Sequence, residues 1–174
     1  MPRSLMDDPV NRRIVAELLA DGRVAHAELA ERLGISRPTL VDRVRRLEAE
    51  GVIQGYAARV PSAAVGKPVM AFVSLRFSGV IDARLARLHE ALAAERDVLE
   101  AHTVAGDDCL LLKVVAATPE GLNELLQRLR GVGLDATTRT TIVLETHFLK
   151  PGPLPLPAPV GTPAAKPRTG AQRT

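Results

Sequence analysis

The amino-acid sequence predicts an α+β chain in two parts: three helices with a helix-turn-helix spacing and a short wing, then a unit of order β-α-β-β-α-β. Three observations predict it. Apolar residues recur at helical spacing, punctuated by glycine, up to Gly51. From Val69 the pattern switches to strand-like alternation, and strands and helices then follow one another to Phe148. From Pro151 every pattern fails, with seven prolines, three glycines and almost no large apolar residue past Leu156.

The elements justify this in order. Asp8-Pro9 reads as an N-cap followed by proline at the first helical position. Val10, Ile14 and Leu18 then stripe one helix through Ala20, and Asp21-Gly22 turns the chain. A second helix over His26–Leu33 buries Leu29 and Leu33 and ends at Gly34. Ser36 caps a third, with Pro38 in its first turn, Leu40, Val44 and Leu47 inward, and Gly51 as its stop. The run Val52–Val60 is short and strand-like, hence a β wing. Pro61–Pro68 reads as a linker with a helical turn at Ser62–Val65.

In the second part, Val69, Ala71, Val73, Leu75 and Phe77 alternate as a half-buried strand. Ile81, Leu85, Leu88 and Leu92 mark a helix, and strands follow at 98–104 and Cys109–Val115. Thr118-Pro119 starts a helix striped by Leu122, Leu125, Leu126 and Leu129, which Gly131 and Gly133 end. Thr137–Phe148 is the last strand. The order is that of a split βαβ, ferredoxin-like unit. The expected domains are therefore 1–60, a winged helix-turn-helix; 61–68, a linker; 69–150, ferredoxin-like; and 151–174, a disordered basic Pro-rich tail.

Composition narrows the function. Aromatic residues are 2% of the chain, so Leu, Val, Ile and Ala must fill its cores. There is no apolar run of 18 residues and no leader-like N-terminus, and Cys109 is the only cysteine, which rules out an intrachain disulfide. A cytoplasmic protein without a membrane segment is expected. Residues 1–60 contain ten arginines and no lysine. That reflects either genome composition or a choice of arginine for phosphate and base contacts. The tail carries Lys166, Arg168 and Arg173 and no acid, so it is either an aid to nonspecific DNA contact or an inert extension.

The third helix carries the chemistry. With Leu40, Val44 and Leu47 inward, Pro38, Asp42, Arg45 and Ala49 take the opposite face, Thr39, Val41 and Arg46 the shoulders, and Arg37 and Arg43 flank the buried stripe and must reach outward. Arginine can pair bidentately with guanine or clamp phosphate. The candidate DNA-binding residues are Ser36, Arg37, Thr39, Asp42, Arg43, Arg45 and Arg46, with double-stranded DNA the partner. An ordinary solvated charged face is the plain alternative.

The segment Leu47-Glu48-Ala49-Glu50-Gly51-Val52-Ile53-Gln54-Gly55-Tyr56 resembles the end of the recognition helix and the start of the wing in the Lrp/AsnC (feast/famine) transcriptional regulators. Asp21-Gly22-Arg23, Glu28-Leu29-Ala30, Gly34-Ile35-Ser36, Val104-Ala105-Gly106-Asp107 and Thr138-Arg139-Thr140 are similar to the same family. The similarity runs over residues 8–148 in the right order. It implies a sequence-specific DNA-binding regulator, a homodimer or larger homo-oligomer, whose ferredoxin-like domain is regulatory and answers to an amino acid or related small molecule. Two departures stand out. Arg37-Pro38-Thr39 replaces the Pro-Thr-Pro often found there, and Ala25 replaces a serine N-cap at a typical cost of about 0.5–2 kcal/mol.

The resemblance places the effector near the loop between the middle strands, giving Gly106, Asp107, Asp108, Cys109, Thr138 and Thr140 as candidate effector-binding residues. A plain turn is the simpler reading of the loop. Cys109 and Leu110 stand where the family often has an acidic or aromatic residue, so leucine is not assumed as the ligand. Cys109 is either an inert buried thiol or a redox sensor. His26, His89, His102 and His147 lack metal-ligand spacing, and no catalytic, metal or cofactor motif is found, so no enzyme is expected. The alternative is a sirohaem-decarboxylase-like enzyme subunit of the same fold.

Overall fold

A computed structural model describes residues 4–77, 83–131 and 136–155. They divide into two compact units: the described parts of Met1–Ala57 with Leu149–Thr174, and of Ala58–Phe148.

The first unit is three helices on one core. Helix α1, Pro9–Ala20, starts as the sequence predicts, with the Asp8 side chain accepting from the Val10 amide. Helix α2, His26–Leu33, has no side-chain cap at Ala25 and ends on Gly34 at φ 68°, a left-handed conformation that glycine adopts without a Cβ clash. Helix α3, Arg37–Ala49, is capped by Ser36, whose Oγ accepts from the Thr39 amide. Ile14, Leu29, Leu40 and Leu47 are fully buried between them. A side chain of this kind contributes about 1.5–3 kcal/mol by leaving water.

The wing differs from expectation. Among the described residues, 52–60 form no strand. The Val52 and Ile53 amides both donate to the Leu47 carbonyl and close α3, and the rest of the run is irregular chain. Strand-like composition alone does not make a strand. The expected turn at Ser62–Val65 is present as a 3-10 helix, and a second 3-10 helix at Leu5–Asp7 precedes α1.

The second unit is a four-stranded antiparallel sheet in the order β2-β3-β1-β4, from β1 Val69–Phe77, β2 Val98–Thr103, β3 Leu110–Ala116 and β4 Ala136–Val143. Helices α4, Ala83–Ala94, and α5, Pro119–Gly131, make the two crossovers of the split βαβ order. Ala71, Val73, Leu75, Leu110, Leu112 and Val114 pack with Leu88, Leu92, Leu122, Leu125 and Leu129 of these helices. The opposite sheet face carries Met70 and Phe72, with Phe72 39% exposed.

Two ends are corrected. β4 stops at Val143 rather than Phe148, because Val143 already faces Met70 and β1 has only Val69 left before Pro68, which has no N–H to donate. The tail expected from Pro151 begins with Pro151–Pro155 lying in the first unit: a Cβ on Gly152 would stand 3.0 Å from Leu19 Cδ2. The remaining tail, 156–174, and the expected helix start at Ile81 and stop at Gly133 lie outside the described residues.

Candidate DNA interface and effector region

Helix α3 presents its predicted outer face. Arg37, Thr39, Asp42, Arg45 and Arg46 are exposed. Ser36 and Thr39 bond each other through their hydroxyls at 2.8 Å, which holds the first turn, so these groups serve the cap as well as any ligand. Arg46 Nη2 lies 3.1 Å from Asp42 Oδ2, an exposed i,i+4 pair. Such a pair contributes only about 0.3–0.5 kcal/mol and yields readily to a stronger anion. Arg37 and Arg45 make no ion pair among the described residues.

Arg43 is different. It does not reach outward as the helical wheel suggests. Its Nη1 lies 2.6 Å from Asp8 Oδ2 and 2.7 Å from Asn11 Oδ1. Asn11 is buried, and its amide nitrogen donates to the Leu5 carbonyl at 2.8 Å. Arg43 thus ties α3 to the start of α1 and to the 3-10 helix before it. A flanking position on the wheel gives a side chain two ways to turn, and here a carboxylate and an amide lie on the inner side. The Arg43 guanidinium, ahead of the Val10 amide, holds the Asp8 carboxyl below the usual range, against the opposing effect of burial.

A depressed folded-state value means that the stabilisation is complete above the ordinary aspartate range and drains away as pH falls through the folded-state value of Asp8. Arg43→Ala should therefore destabilise the first unit by about 1–3 kcal/mol at neutral pH, since it strips hydrogen bonds from a carboxylate and a buried amide. The loss should shrink toward acid, which thermal melts across a pH series would show. Equal destabilisation at all pH values would mean that Asp8 does not matter.

In the second unit the loop 104–109 closes through Val104 N to Cys109 O at 3.1 Å, with Gly106 at φ 135°, where a side chain would be strained. The half-buried Cys109 donates its amide to the Leu75 carbonyl at 2.8 Å, which fixes the loop to the end of β1. Leu75 is in turn opposite Thr138 on β4, so loop and threonine share one end of the sheet. They do not share a face. Thr138 and Thr140 stand opposite Leu75 and Val73, on the helix-covered side, and Thr138 Oγ1 accepts from Arg130 of α5 at 3.0 Å. Asp108 accepts from Arg139 Nη2 at 2.8 Å, and Arg139 is opposite Ser74, on the open side. Asp107 is almost fully exposed, with Arg76 3.5 Å away.

Sequence reasoning missed the arginines here. Arg76, Arg130 and Arg139 are three cations at one sheet end, each beside a predicted residue. Register supplies that signal, and register is not legible before the strands are paired. Among the described residues no group of three His, Cys, Asp or Glu could hold a metal ion, and no helix is long and apolar enough to cross a membrane.

A three-helix unit that exposes a capped, arginine-bearing third helix, followed by a ferredoxin-like unit, defines a helix-turn-helix transcriptional regulator with a ligand-binding domain. Comparison with known proteins agrees. Residues 7–54 match the winged helix-turn-helix DNA-binding family and residues 70–153 the Lrp/AsnC ligand binding domain. The chain is 40% identical over 143 residues to the HTH-type transcriptional regulator LrpA of Mycobacterium tuberculosis, covering 81% of this chain and 92% of that one. It is 34% identical over 142 residues to the leucine-responsive regulatory protein of Escherichia coli, covering 79% and 85%. The solved structure of the feast or famine regulatory protein from M. tuberculosis complexed with L-methionine superposes with a TM-score of 0.77 at 39% identity, over 85% of this chain and 99% of that one. The chain belongs to the Lrp/AsnC family of transcriptional regulators.

Proposed function

We propose that this regulator binds a specific operator as a homodimer or larger assembly through the exposed face of α3, and that an amino acid bound at the regulatory sheet end modulates it. The single observation that carries the second half is the pair Arg76–Asp107, an exposed cation and carboxylate 3.5 Å apart beside the Gly106 turn. A free amino acid is a zwitterion of the same two charges. Arg76 can take its carboxylate in a charge-assisted pair, and Asp107 its ammonium. Asp108 is already engaged by Arg139, so Asp107 is the better acceptor of the two acids. The L-methionine complex of a relative supports an amino acid as the ligand class.

In this reading Arg37, Thr39, Asp42, Arg45 and Arg46 face DNA, while Ser36 and Arg43 hold the helix that presents them. We read the chain as a non-enzymatic protein of the cytoplasm, in line with relatives named as transcriptional regulators.

Calorimetry across the twenty amino acids tests the effector. At least one should bind, and binding should shift DNA affinity by a coupling of about 1–3 kcal/mol, with DNA shifting ligand affinity by the same factor. Asp107→Ala and Arg76→Ala should each abolish or greatly weaken binding. Undiminished binding in both variants would move the ligand elsewhere in the domain.

A further inference from the structure

We propose that Pro151–Pro155 is a strap: a docked part of the DNA-binding unit that ties it, within the same chain, to the last strand of the regulatory sheet. The chain leaves the first unit after Ala57, builds the second, and returns to the first at Leu149. There a cleft of about 590 Å³ opens beside α1, walled by Val15, Leu18 and Leu19 of that helix, by Val52 and Tyr56 after α3, and by the returning segment itself. A Cβ at Gly152 would stand 3.0 Å from Leu19 Cδ2, so any larger side chain there must push the end of Leu19 aside. The Tyr56 ring lies over Gly22, and its hydroxyl donates to Glu48 at 3.1 Å, which holds the far wall in place.

The composition of the segment suits the wall. Pro151, Pro153 and Pro155 have no N–H, so lying against apolar side chains strands no donor at those positions. Proline also fixes φ beforehand, so little chain entropy is lost on docking. Only residues 144–150 separate the end of β4 at Val143 from the strap. β4 bears Thr138 and Thr140, and α1 is tied to α3 through Asp8, Asn11 and Arg43. The strap is therefore a second covalent connection between the two units, separate from the linker that follows Ala57. The docking itself does not depend on any effector being bound.

Tyr56 makes the idea measurable. It is the only tyrosine, there is no tryptophan, and it lines the cleft, so the intrinsic fluorescence of the protein reports on this place. The chain ended after Pro155 should match the full chain in acrylamide quenching and melting. The chain ended after Lys150 should quench more and melt about 4–8 °C lower. Full-length Gly152→Val should do the same by lifting the segment off Leu19. Paired with Leu19→Ala it should behave like Leu19→Ala alone, because the clash is gone. Binding to genomic DNA fragments should weaken in the two lifted forms. Equal quenching and melting in all these chains would overturn the strap. Full DNA binding in a chain whose Tyr56 has become more quenchable would overturn its link to recognition.

Discussion

Replacing Arg45 and Arg46 together by alanine should reduce DNA affinity and flatten its dependence on salt, while leaving the fold intact. Both side chains are exposed on the outer face of α3, away from Leu40, Val44 and Leu47. Each phosphate neutralised releases condensed counterions and adds about 0.9 to the slope of log K against log salt, so losing two contacts should lower the slope by about 1.8 for each subunit bound to the operator. The Asp42 pair does not protect Arg46, because an exposed i,i+4 pair is weak beside a phosphate in a groove. Arg43→Ala is the informative contrast. It should lower stability yet leave the slope near the wild-type value, since its guanidinium is spent on Asp8 and Asn11. A double variant of Arg45 and Arg46 that melts normally and keeps the full slope would remove α3 from the phosphate contacts.

That contrast marks how far the sequence could be read. Periodicity located the buried side of α1, α2 and α3. Ile14, Leu29, Leu33, Leu40, Val44 and Leu47 form one core, and the cap at Ser36 and the stop at Gly34 fall where their chemistry requires. These are local facts, set within four residues along the chain. The fate of Arg43 was not local: its partners are 35 and 32 residues away, and only the packing of α1 on α3 brings them near. The strand expected within the wing is absent for the opposite reason. Val52–Val60 has strand composition, but composition cannot supply the second strand that a ladder needs.

The effector region shows the same divide. The loop Gly106–Cys109 and the two threonines were legible as residue types at matching motifs, and the structure brings them to one end of the sheet. Alternation along β4 says that Thr138 and Thr140 share a side, but not which side, and pairing with Leu75 and Val73 puts them under the helices. The arginines that engage Asp107, Asp108 and Thr138 come from β1, β4 and α5, three elements that no local pattern joins.

Phe72→Glu should convert the assembled protein to monomers and lower operator affinity by about 10²–10⁴-fold, the gain that linking two half-site contacts typically gives. Phe72 is 39% exposed in the single chain, on the sheet face that carries no helix, beside Met70. This patch is the proposed subunit contact, and in a two-fold dimer the same patch meets itself, so one substitution acts twice. The substitution should spare the fold. Phe72 is directly opposite Lys113 on β3 and Thr141 on β4; Lys113 is already paired with Glu100 at 2.8 Å, so within the monomer the new carboxylate is accommodated by water at a partly exposed position. Across the interface it would meet another carboxylate in a desolvated place, which neither subunit can neutralise. Light scattering at micromolar concentration should show the dimer or larger assembly for the wild type and the monomer mass for the variant. Circular dichroism should be unchanged in both. The wild type should also prefer a roughly palindromic site, since operator symmetry mirrors that of the protein. A variant that stays assembled with full affinity would place the subunit contact on another surface, leaving Phe72 an ordinary exposed side chain.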